Sequence, residues 1–279
     1  MDNAKKTVVA LGMFDGVHIG HKKLIDTAVL IAKARGLVPA VYTFSNHPQE
    51  LLGHSVNRLC SNEDRVKYMT ALGIELVDMV EFTKQIRSLP PKEFIDMLAE
   101  RLNPAVIVAG YNYTFGMKKA GDTAMLEKLA TARNIDVAVI PPVLANKKPV
   151  SSTRIRELIE RGDVQQAQLL LGRTHNITGT AQAVPGNANR FSIKRSSSVL
   201  LPAEGAYICF ADTEDSFRPA AVWVEKGNIE LSLFGESCDI DGKNVTVRFT
   251  RLLHPIKDNN PPSWDKDINT AKNYFGEGY

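Results

Sequence analysis

The stretch that decides the fold reads Gly12-Met13-Phe14-Asp15-Gly16-Val17-His18-Ile19-Gly20-His21. It follows an apolar, β-branched run over residues 7–11, which predicts a short buried strand. Downstream, apolar residues recur at helical spacing as far as Gly36, so a helix is expected to begin close to His18. The first N–H groups of a helix and the positive end of its dipole attract anions. The stretch therefore predicts a strand, a turn and a helix that together hold phosphate.

Two histidines and three glycines carry this interpretation. Gly12, Gly16 and Gly20 lack a Cβ atom, so the backbone can turn sharply and lie close against a bulky group such as a triphosphate. His18 and His21 share one helix face, which also suits half of a metal site or two partly exposed polar residues. Zinc is disfavoured because no cysteine or third histidine stands at ligand spacing nearby. The glycines and the strand-to-helix context favour phosphate.

The first 172 residues alternate between predicted strands and predicted helices. The strands are expected at 7–11, 38–44, 76–81, 105–109 and 135–140, and further helices at 63–72, 91–102 and 123–133. This alternation is typical of a doubly wound, Rossmann-like α/β domain with a largely parallel sheet. Such sheets bind ligands at the carboxyl ends of their strands. Residues 43–48 and 110–116 also follow predicted strands directly, so we expect them at the binding edge.

A second candidate phosphate site is the stretch Ser151-Ser152-Thr153-Arg154-Ile155-Arg156. It offers three hydroxyl groups and two guanidinium groups where a helix is predicted to begin. Hydroxyl groups at that position commonly do no more than cap the helix. Guanidinium groups also suit phosphate oxygens. Because this is the second such helix start in one α/β domain, we interpret it as a phosphate-binding element.

The pattern changes after residue 172. Short strands separated by polar turns are expected at 178–184, 205–211, 220–224, 229–233 and 245–252, followed by a final helix at 265–275. These strands predict a small antiparallel β-barrel. The predicted organisation is therefore an α/β domain over residues 1–172 and a β-barrel domain over residues 173–279.

Composition predicts a soluble globular protein, with 44% hydrophobic and 23% charged residues. No apolar run approaches the roughly 20 residues of a membrane span. No signal peptide is recognisable either, so we expect a cytoplasmic protein with no membrane partner. The three widely spaced cysteines fit free thiols in a reducing compartment. A formal charge of +3 is too small to indicate a nucleic-acid partner.

Four motifs, in this order and spacing, carry a family resemblance. They are Gly-x-Phe-Asp-Gly-Val-His-x-Gly-His from residue 12, Thr-Phe-x-x-His-Pro from 43, Gly-Tyr-Asn-x-x-Phe-Gly from 110 and Ser-Ser-Thr-x-Ile-Arg from 151. The N-terminal half thereby resembles the bacterial riboflavin kinase/FAD synthetase family. The resemblance implies an FMN adenylyltransferase domain of the nucleotidylyltransferase superfamily, followed by a riboflavin kinase barrel. The implied reaction converts ATP and FMN to FAD and pyrophosphate.

The resemblance also implies roles for individual residues. His18 and His21 would contact the ATP phosphates and stabilise charge that develops at the α-phosphorus. Ser152, Thr153 and Arg156 would bind the β- and γ-phosphates. Mg²⁺ is expected to accompany ATP, held mainly by phosphate and water, and its protein ligands are not assigned. Further contacts are expected to ATP from Gly12, Phe14, Asp15, Gly16, Gly20 and Asn112, and to the flavin from Phe44, His47 and Phe115.

The chain also departs from the family pattern. Ser45 and Asn46 stand where the family usually has an acidic residue and a proline. In the barrel, residues 186–195 replace the family's Gly-Phe-Pro-Thr-Ala-Asn motif without its Pro-Thr pair. Leu253-His254-Pro255-Ile256 replaces Leu-Arg-x-Glu, although Glu230 stands where the family has its catalytic base. The comparison implies a barrel that keeps its fold and has lost kinase activity.

Other functions stay open at this point. One is a bifunctional enzyme whose kinase site uses unusual residues. Another is a non-catalytic, flavin-binding sensor, which would have no need of a site for the α-phosphate. Adenylyltransferases that act on pantetheine phosphate or nicotinate mononucleotide share the histidine motif, although the Phe-Asp-Gly-Val lead-in and the barrel favour FMN. The sequence does not predict an oligomeric state.

Overall fold

A computed structural model describes residues 5–235, 238–256 and 263–276 of the chain. These residues group into two compact units. The first runs as far as Val56 and resumes over Asn62–Val150, and the second takes Asn57–Ser61 and the residues from Ser151 onward. None of the helices in the described ranges is long and apolar enough to cross a lipid bilayer.

The first unit is built on five parallel strands: β1 (Thr7–Leu11), β2 (Val38–Phe44), β3 (Leu76–Val80), β4 (Pro104–Gly110) and β5 (Asp136–Ile140). The helices are α1 (Ile19–Arg35), α2 (Asn62–Ala71), α3 (Lys84–Ser88), α4 (Pro91–Leu102) and α5 (Thr123–Thr131). A small hairpin follows, formed by β6 (Leu144–Ala145) and β7 (Lys148–Pro149). The predicted strands and helices of this half are confirmed, whereas α3 and the hairpin were not predicted.

Helices cover both faces of this sheet. On one face, α4 and α5 bury Phe94 and Leu126 in an apolar core that includes Val9. On the other face, α1 buries Ile25 in a second core that includes Val8. Successive strand residues point to opposite faces, so Val8 and Val9 serve different cores. The arrangement is the predicted doubly wound α/β fold.

The strand order, β3-β2-β1-β4-β5, decides where a ligand can bind. The chain builds outward from β1 in one direction through β2 and β3, then in the other through β4 and β5. The direction reverses between β1 and β4, and the crevice at such a reversal is the usual ligand site of open α/β sheets. The histidine segment follows β1 and residues 111–116 follow β4, so both predicted segments lie at this point.

The second unit contains two helices, α6 (Ser152–Glu160) and α7 (Val164–Leu171), before its strands. The strands are β8 (His175–Ala183), β9 (Arg190–Arg195), β10 (Gly205–Asp212), β11 (Phe217–Glu225), β12 (Asn228–Leu233) and β13 (Asn244–Pro255), and the last helix is α8 (Trp264–Phe275). The strands close into a barrel in the order β10-β11-β12-β9-β8-β13, with antiparallel neighbours. The predicted antiparallel barrel is confirmed.

The sequence predicts five barrel strands, whereas six are present in the part of the chain that the structure describes. The missing one is β9, whose composition is mostly polar. Phe191 and Ile193 alternate with polar residues and are buried in the barrel core, which is the period of a half-buried strand. The alternation was therefore present in the sequence, but only two apolar residues carry it.

Helices α6 and α7 group with the barrel by their contacts. Val164 at the start of α7 is part of the barrel's apolar core. The predicted domain boundary at residue 172 instead assigns both helices to the first domain, because α6 begins with the predicted phosphate ligands. That boundary stays a prediction.

Candidate functional site

His18 ends the loop after β1 and caps helix α1. Its backbone is extended, with φ −69° and ψ 172°, and its Nδ1 atom accepts a hydrogen bond from the backbone N–H of His21 at 3.2 Å. A ring nitrogen that accepts a hydrogen bond carries no proton, so the neutral ring of His18 has its proton on Nε2. The first turn of α1 contains no acidic residue. No acidic side chain of this turn therefore offsets the positive end of the helix, which attracts anions.

His21 lies almost one turn further along α1 and stacks on His18. The ring centroids are 3.6 Å apart with an interplanar angle of 15°, and the Phe14 ring meets His21 edge-on at 5.3 Å. Burial, and then the charges of His18 and Arg65, hold the pKa of His21 well below its usual value. The ring is therefore neutral at pH 7. Its Nδ1 atom is buried and has no hydrogen-bond partner in the described part of the chain, an arrangement that a ligand can complete.

The turn between β1 and α1 has an unusual backbone. Phe14, Gly16 and Val17 have φ values of 50°, 78° and 39°. A left-handed conformation is unfavourable for a β-branched residue such as Val17, at a cost of about 1–3 kcal/mol. Both Phe14 and Val17 are buried, and the Val17 N–H donates to the Phe14 carbonyl at 3.0 Å, so the surrounding packing fixes this conformation. Strain of this kind clusters at ligand-binding turns.

Two of the predicted glycines are required by the rings beside them. A Cβ atom on Gly20 would lie 3.0 Å from Cε1 of His18. A Cβ atom on Gly12 would lie 3.1 Å from the ring of Phe14. Asp15, in the same turn, is buried. The glycines therefore allow the rings their positions. Direct contacts from this segment to ATP stay a prediction.

Arg65, on α2, was not predicted. It is buried, and its Nη1 donates to the Met13 carbonyl at 2.7 Å while its Nη2 donates to the Phe44 carbonyl at 2.7 Å and to Oδ1 of Asn62 at 2.6 Å. It thus joins the backbone at the ends of β1 and β2. The sequence signal was a charged residue four positions before Met69, on the buried face of the helix.

The loop after β2 carries Phe44 and His47. Phe44 is half-buried, and its ring meets Phe82 at 4.9 Å. The side chain of Asn46 donates to the Phe82 carbonyl at 3.1 Å and accepts from the Phe82 N–H at 2.6 Å. His47 Nδ1 accepts from the Gln49 N–H at 3.2 Å, so its neutral ring carries the proton on Nε2. Asn46 ties this loop to the end of β3 and gives it the fixed geometry that a proline would supply.

The loop after β4 carries two predicted ligand-binding residues, which lie in different surroundings. Asn112 is exposed at the sheet edge beside β1. Phe115 is only 5% exposed, and its ring lies 5.5 Å from Phe94 and 5.9 Å from Tyr113, between ring centroids. A Cβ atom on Gly121 would lie 2.7 Å from this ring. Phe115 thus belongs to the apolar core, and its contact with flavin stays a prediction.

The remaining predicted phosphate ligands belong to the second unit. Ser152, Thr153 and Arg156 lie in the first turns of α6, which Ser151 caps by accepting the Arg154 N–H at 3.3 Å. This helix start also lacks acidic residues. Arg156 Nε donates to the backbone carbonyl of residue 57 at 2.8 Å, which fixes the base of its guanidinium group.

In the barrel, Glu230 is engaged by a neighbouring cation. Its Oε2 accepts a hydrogen bond from Nη2 of Arg190 at 2.8 Å. The same guanidinium lies 3.4 Å from the ring centroid of Trp264 on α8, and Trp264 contacts Trp223 with centroids 3.7 Å apart. The carboxylate that stands at the expected base position is therefore held in an ion pair by a residue of β9.

Over the described residues, no group of three or more His, Cys, Asp or Glu side chains is arranged to hold a metal ion. Mg²⁺ needs only one or two protein ligands when substrate phosphates and water complete its shell.

The chain is similar to several known proteins. The family model described as FAD synthetase matches residues 1–154. A bifunctional riboflavin kinase/FMN adenylyltransferase of Listeria monocytogenes is 38% identical over 62% of this chain, which spans 56% of that relative's length. An FAD synthetase of the same organism is 31% identical over 74% of this chain and 81% of its own. A crystal structure titled as a macrolide-efflux protein from Streptococcus pneumoniae superposes with a TM-score of 0.87 at 27% identity, covering 98% of this chain and 93% of that one.

Proposed function

The chain belongs to the FAD synthetase family of nucleotidyltransferases, and on that premise we propose that it transfers AMP from ATP to FMN, giving FAD and pyrophosphate. The family resemblance of its motifs is thereby confirmed. The observation that carries the proposal is the pair of stacked histidines at the start of α1, behind a strained turn and at the reversal of strand order. An anion is the ligand that this arrangement suits.

The reaction needs alignment and charge stabilisation more than a base. A phosphate oxygen of FMN attacks the α-phosphorus of ATP, the new P–O bond forms, and the bond to the β-phosphate breaks with its electron pair leaving on pyrophosphate. Because the second pKa of a phosphate monoester is about 6, the nucleophile is already ionised at neutral pH. The protein has to stabilise the charge that grows on the phosphate oxygens.

The two histidines suit that task in different ways. His18 presents Nε2–H as a donor because Nδ1 already accepts the His21 N–H. His21 is neutral before substrate binds, and an approaching triphosphate favours its protonated form. The protonated His21 ring can then supply positive charge as the reaction proceeds. In the free protein the ring is neutral, so no unpaired charge has to be buried there.

The family resemblance gives further residues their proposed roles. Ser152, Thr153 and Arg156 bind the β- and γ-phosphates, Asn112 orients the nucleotide, and Phe44 and His47 shape the flavin side. Mg²⁺ bound with ATP would neutralise phosphate charge. We place the protein in the cytoplasm, with ATP and FMN as its small-molecule partners.

We further propose that the barrel has lost kinase activity. The name of the bifunctional relative favours a kinase, whereas the other Listeria relative is named FAD synthetase alone. The Arg190–Glu230 ion pair favours the second case, because one oxygen of the carboxylate already accepts a hydrogen bond from a residue of the protein. A flavin sensor is disfavoured because the histidine site suits an α-phosphate.

Two isotopic labels test the proposed reaction. With FMN and ATP labelled at the α-phosphorus, the label should appear in FAD; with ATP labelled at the γ-phosphorus, it should appear in pyrophosphate. Label transfer from the γ-position into a flavin would instead show phosphoryl transfer, and no transfer of either label would support the sensor.

A further inference from the structure

We propose that Arg65 is a positioning residue for adenylyl transfer, whose guanidinium holds the segment that carries the histidines and the segment on the flavin side at a fixed separation. This inference rests on the proposed function of those two segments. It assigns a role to a residue in none of the four motifs. The argument has three parts, which concern its contacts, its charge and its planar geometry.

The contacts of Arg65 join two loops across two strands. Nη1 reaches the carbonyl of Met13, two residues beyond β1, and Nη2 reaches the carbonyl of Phe44, the last residue of β2. Each loop has a second support: Thr43 Oγ1 donates to the same Met13 carbonyl at 3.1 Å, and Asn62 Nδ2 donates to the Ser45 carbonyl at 3.0 Å. Arg65 contacts both loops.

Position 13 is where fixing the backbone has most effect. Directly after it, three left-handed residues, at positions 14, 16 and 17, lead to His18. A strained turn keeps its shape only when its surroundings over-determine it. A hydrogen bond from a buried guanidinium to the first carbonyl of the turn is such a constraint, since charged donors form the stronger hydrogen bonds.

The charge of Arg65 also acts on the site. Its positive charge is one of the influences that disfavour protonation of His21, together with burial and His18. The same charge attracts the phosphates of both substrates.

The planar guanidinium matters as much as the charge. One planar group sends separate N–H donors to two carbonyls in fixed directions, which an ammonium on a flexible stem does not reproduce. Arg65→Lys should therefore keep the charge and lose the connection between the loops. Arg65→Met should lose both.

The test measures binding and turnover in five variants, which include Arg65→Lys. Affinities for FMN, by flavin fluorescence, and for a non-hydrolysable ATP analogue, by calorimetry, are measured beside kcat and both KM values. We expect Arg65→Met to weaken both ligands about 10-fold and to lower kcat/KM about 100-fold. Thr43→Val should weaken mainly the ATP analogue, and Asn62→Ala mainly FMN, by a few-fold each. Lys67→Met, which removes an exposed cation from the same helix, is the control and should change neither.

A structural role alone would lower the thermal unfolding midpoint and leave the affinities of the folded fraction unchanged. Unchanged affinities for both ligands in Arg65→Met, or weakening of one ligand only, would overturn the inference. If Arg65→Met does not fold, Arg65→Lys decides: affinities equal to wild type would overturn it, and weakening of both ligands would support it. A wild-type protein that binds both ligands but forms no FAD would overturn the proposed function and leave the positioning measurable.

Discussion

The histidine segment of the α/β unit and the Glu230 position of the barrel differ in how a polar side chain is satisfied. At the end of β1, the His21 ring is neutral, has a buried Nδ1 atom without a partner in the described chain, and lies behind a turn with left-handed residues. In the barrel, Glu230 is paired with Arg190, which in turn packs on Trp264. At the histidine segment an unsatisfied ring nitrogen coincides with a strained turn, whereas the Glu230 carboxylate is paired with a cation of the protein.

The difference teaches where activity is to be expected. Strain and incomplete hydrogen bonding cost stability, so they persist in a binding site where a ligand completes them. An internal ion pair has no such use for a ligand. We therefore assign adenylyl transfer to the histidine segment and a structural role to the Arg190–Glu230 pair.

The largest effect is expected from His21→Ala. The variant removes the ring that becomes charged against the ATP phosphates, and the loss of one such electrostatic contact lowers kcat by about 100–1000-fold. The fold should be retained, because His18 still caps α1. Initial rates of FAD formation and a thermal unfolding curve measure both quantities. Lys23→Ala, an exposed cation on the same helix, is the control. Equal rates in both variants would contradict the assignment of chemistry to the α/β unit.

The barrel has its own buried histidine, and there we expect an effect on stability. Burial lowers the pKa of His175 to about 4, although its Nε2 bonds the Leu200 carbonyl at 2.7 Å. Below pH 6.5 His175 binds a proton in the unfolded chain but not in the folded barrel. The free energy of unfolding therefore falls as the pH is lowered from 6.5 towards 4. The difference between the pKa values of His175 in the unfolded and folded states corresponds to about 3 kcal/mol of unfolding free energy.

Urea unfolding at pH 4 to 7 measures this dependence. His175→Phe, which keeps the ring packing against Phe249, should lose that part of the pH dependence even though its stability at pH 7 is lower. His54→Asn, at an exposed position, should keep the wild-type slope. An unchanged slope in His175→Phe would show that the buried ring is protonated in the folded barrel.

A smaller effect should separate activity from stability in the α/β unit. Gly20→Ala adds a methyl group 3.0 Å from the His18 ring and must displace it. Alanine also favours a helix over glycine by about 0.5–1 kcal/mol. We expect kcat/KM for ATP to fall about 10-fold while the unfolding midpoint stays level or rises. Wild-type kcat/KM in this variant would mean that the position of His18 is unimportant.

The smallest effect concerns the ion pair of the barrel. Arg190→Met removes a partly exposed ion pair and a contact with Trp264, with side-chain exposures of 21% and 38% for Arg190 and Glu230. We expect a loss of about 1 kcal/mol in unfolding free energy. FAD formation should not change. A fall in FAD formation as large as that of His21→Ala would make the barrel pair part of the active machinery.

Much of the fold could be predicted because its signals are local. The strands of the α/β unit are short apolar runs between helical patterns, and Gly36, a left-handed residue, ends α1 where the sequence placed the stop. Strand β9 has only two apolar residues to mark it. The hairpin formed by β6 and β7 has two residues per strand, too few for any periodicity.

The environment of a candidate site residue could be predicted where it depends on the local sequence. It could not be predicted where it depends on packing against distant residues. The cap formed by His18 follows from its place at a helix start. The burial of Phe115 depends on Phe94 and Gly121, which lie elsewhere in the chain. Arg65 shows the same limit, since its partners are backbone carbonyls that sequence alone does not bring together.

The most direct measurement supplies the purified protein and Mg-ATP with FMN in one tube and riboflavin in another, and resolves the flavin products by chromatography. The account predicts FAD from FMN and neither FMN nor FAD from riboflavin. FMN or FAD formed from riboflavin would contradict the structural role given to the barrel, and a tube of FMN that yields no FAD would contradict the function given to the histidine site.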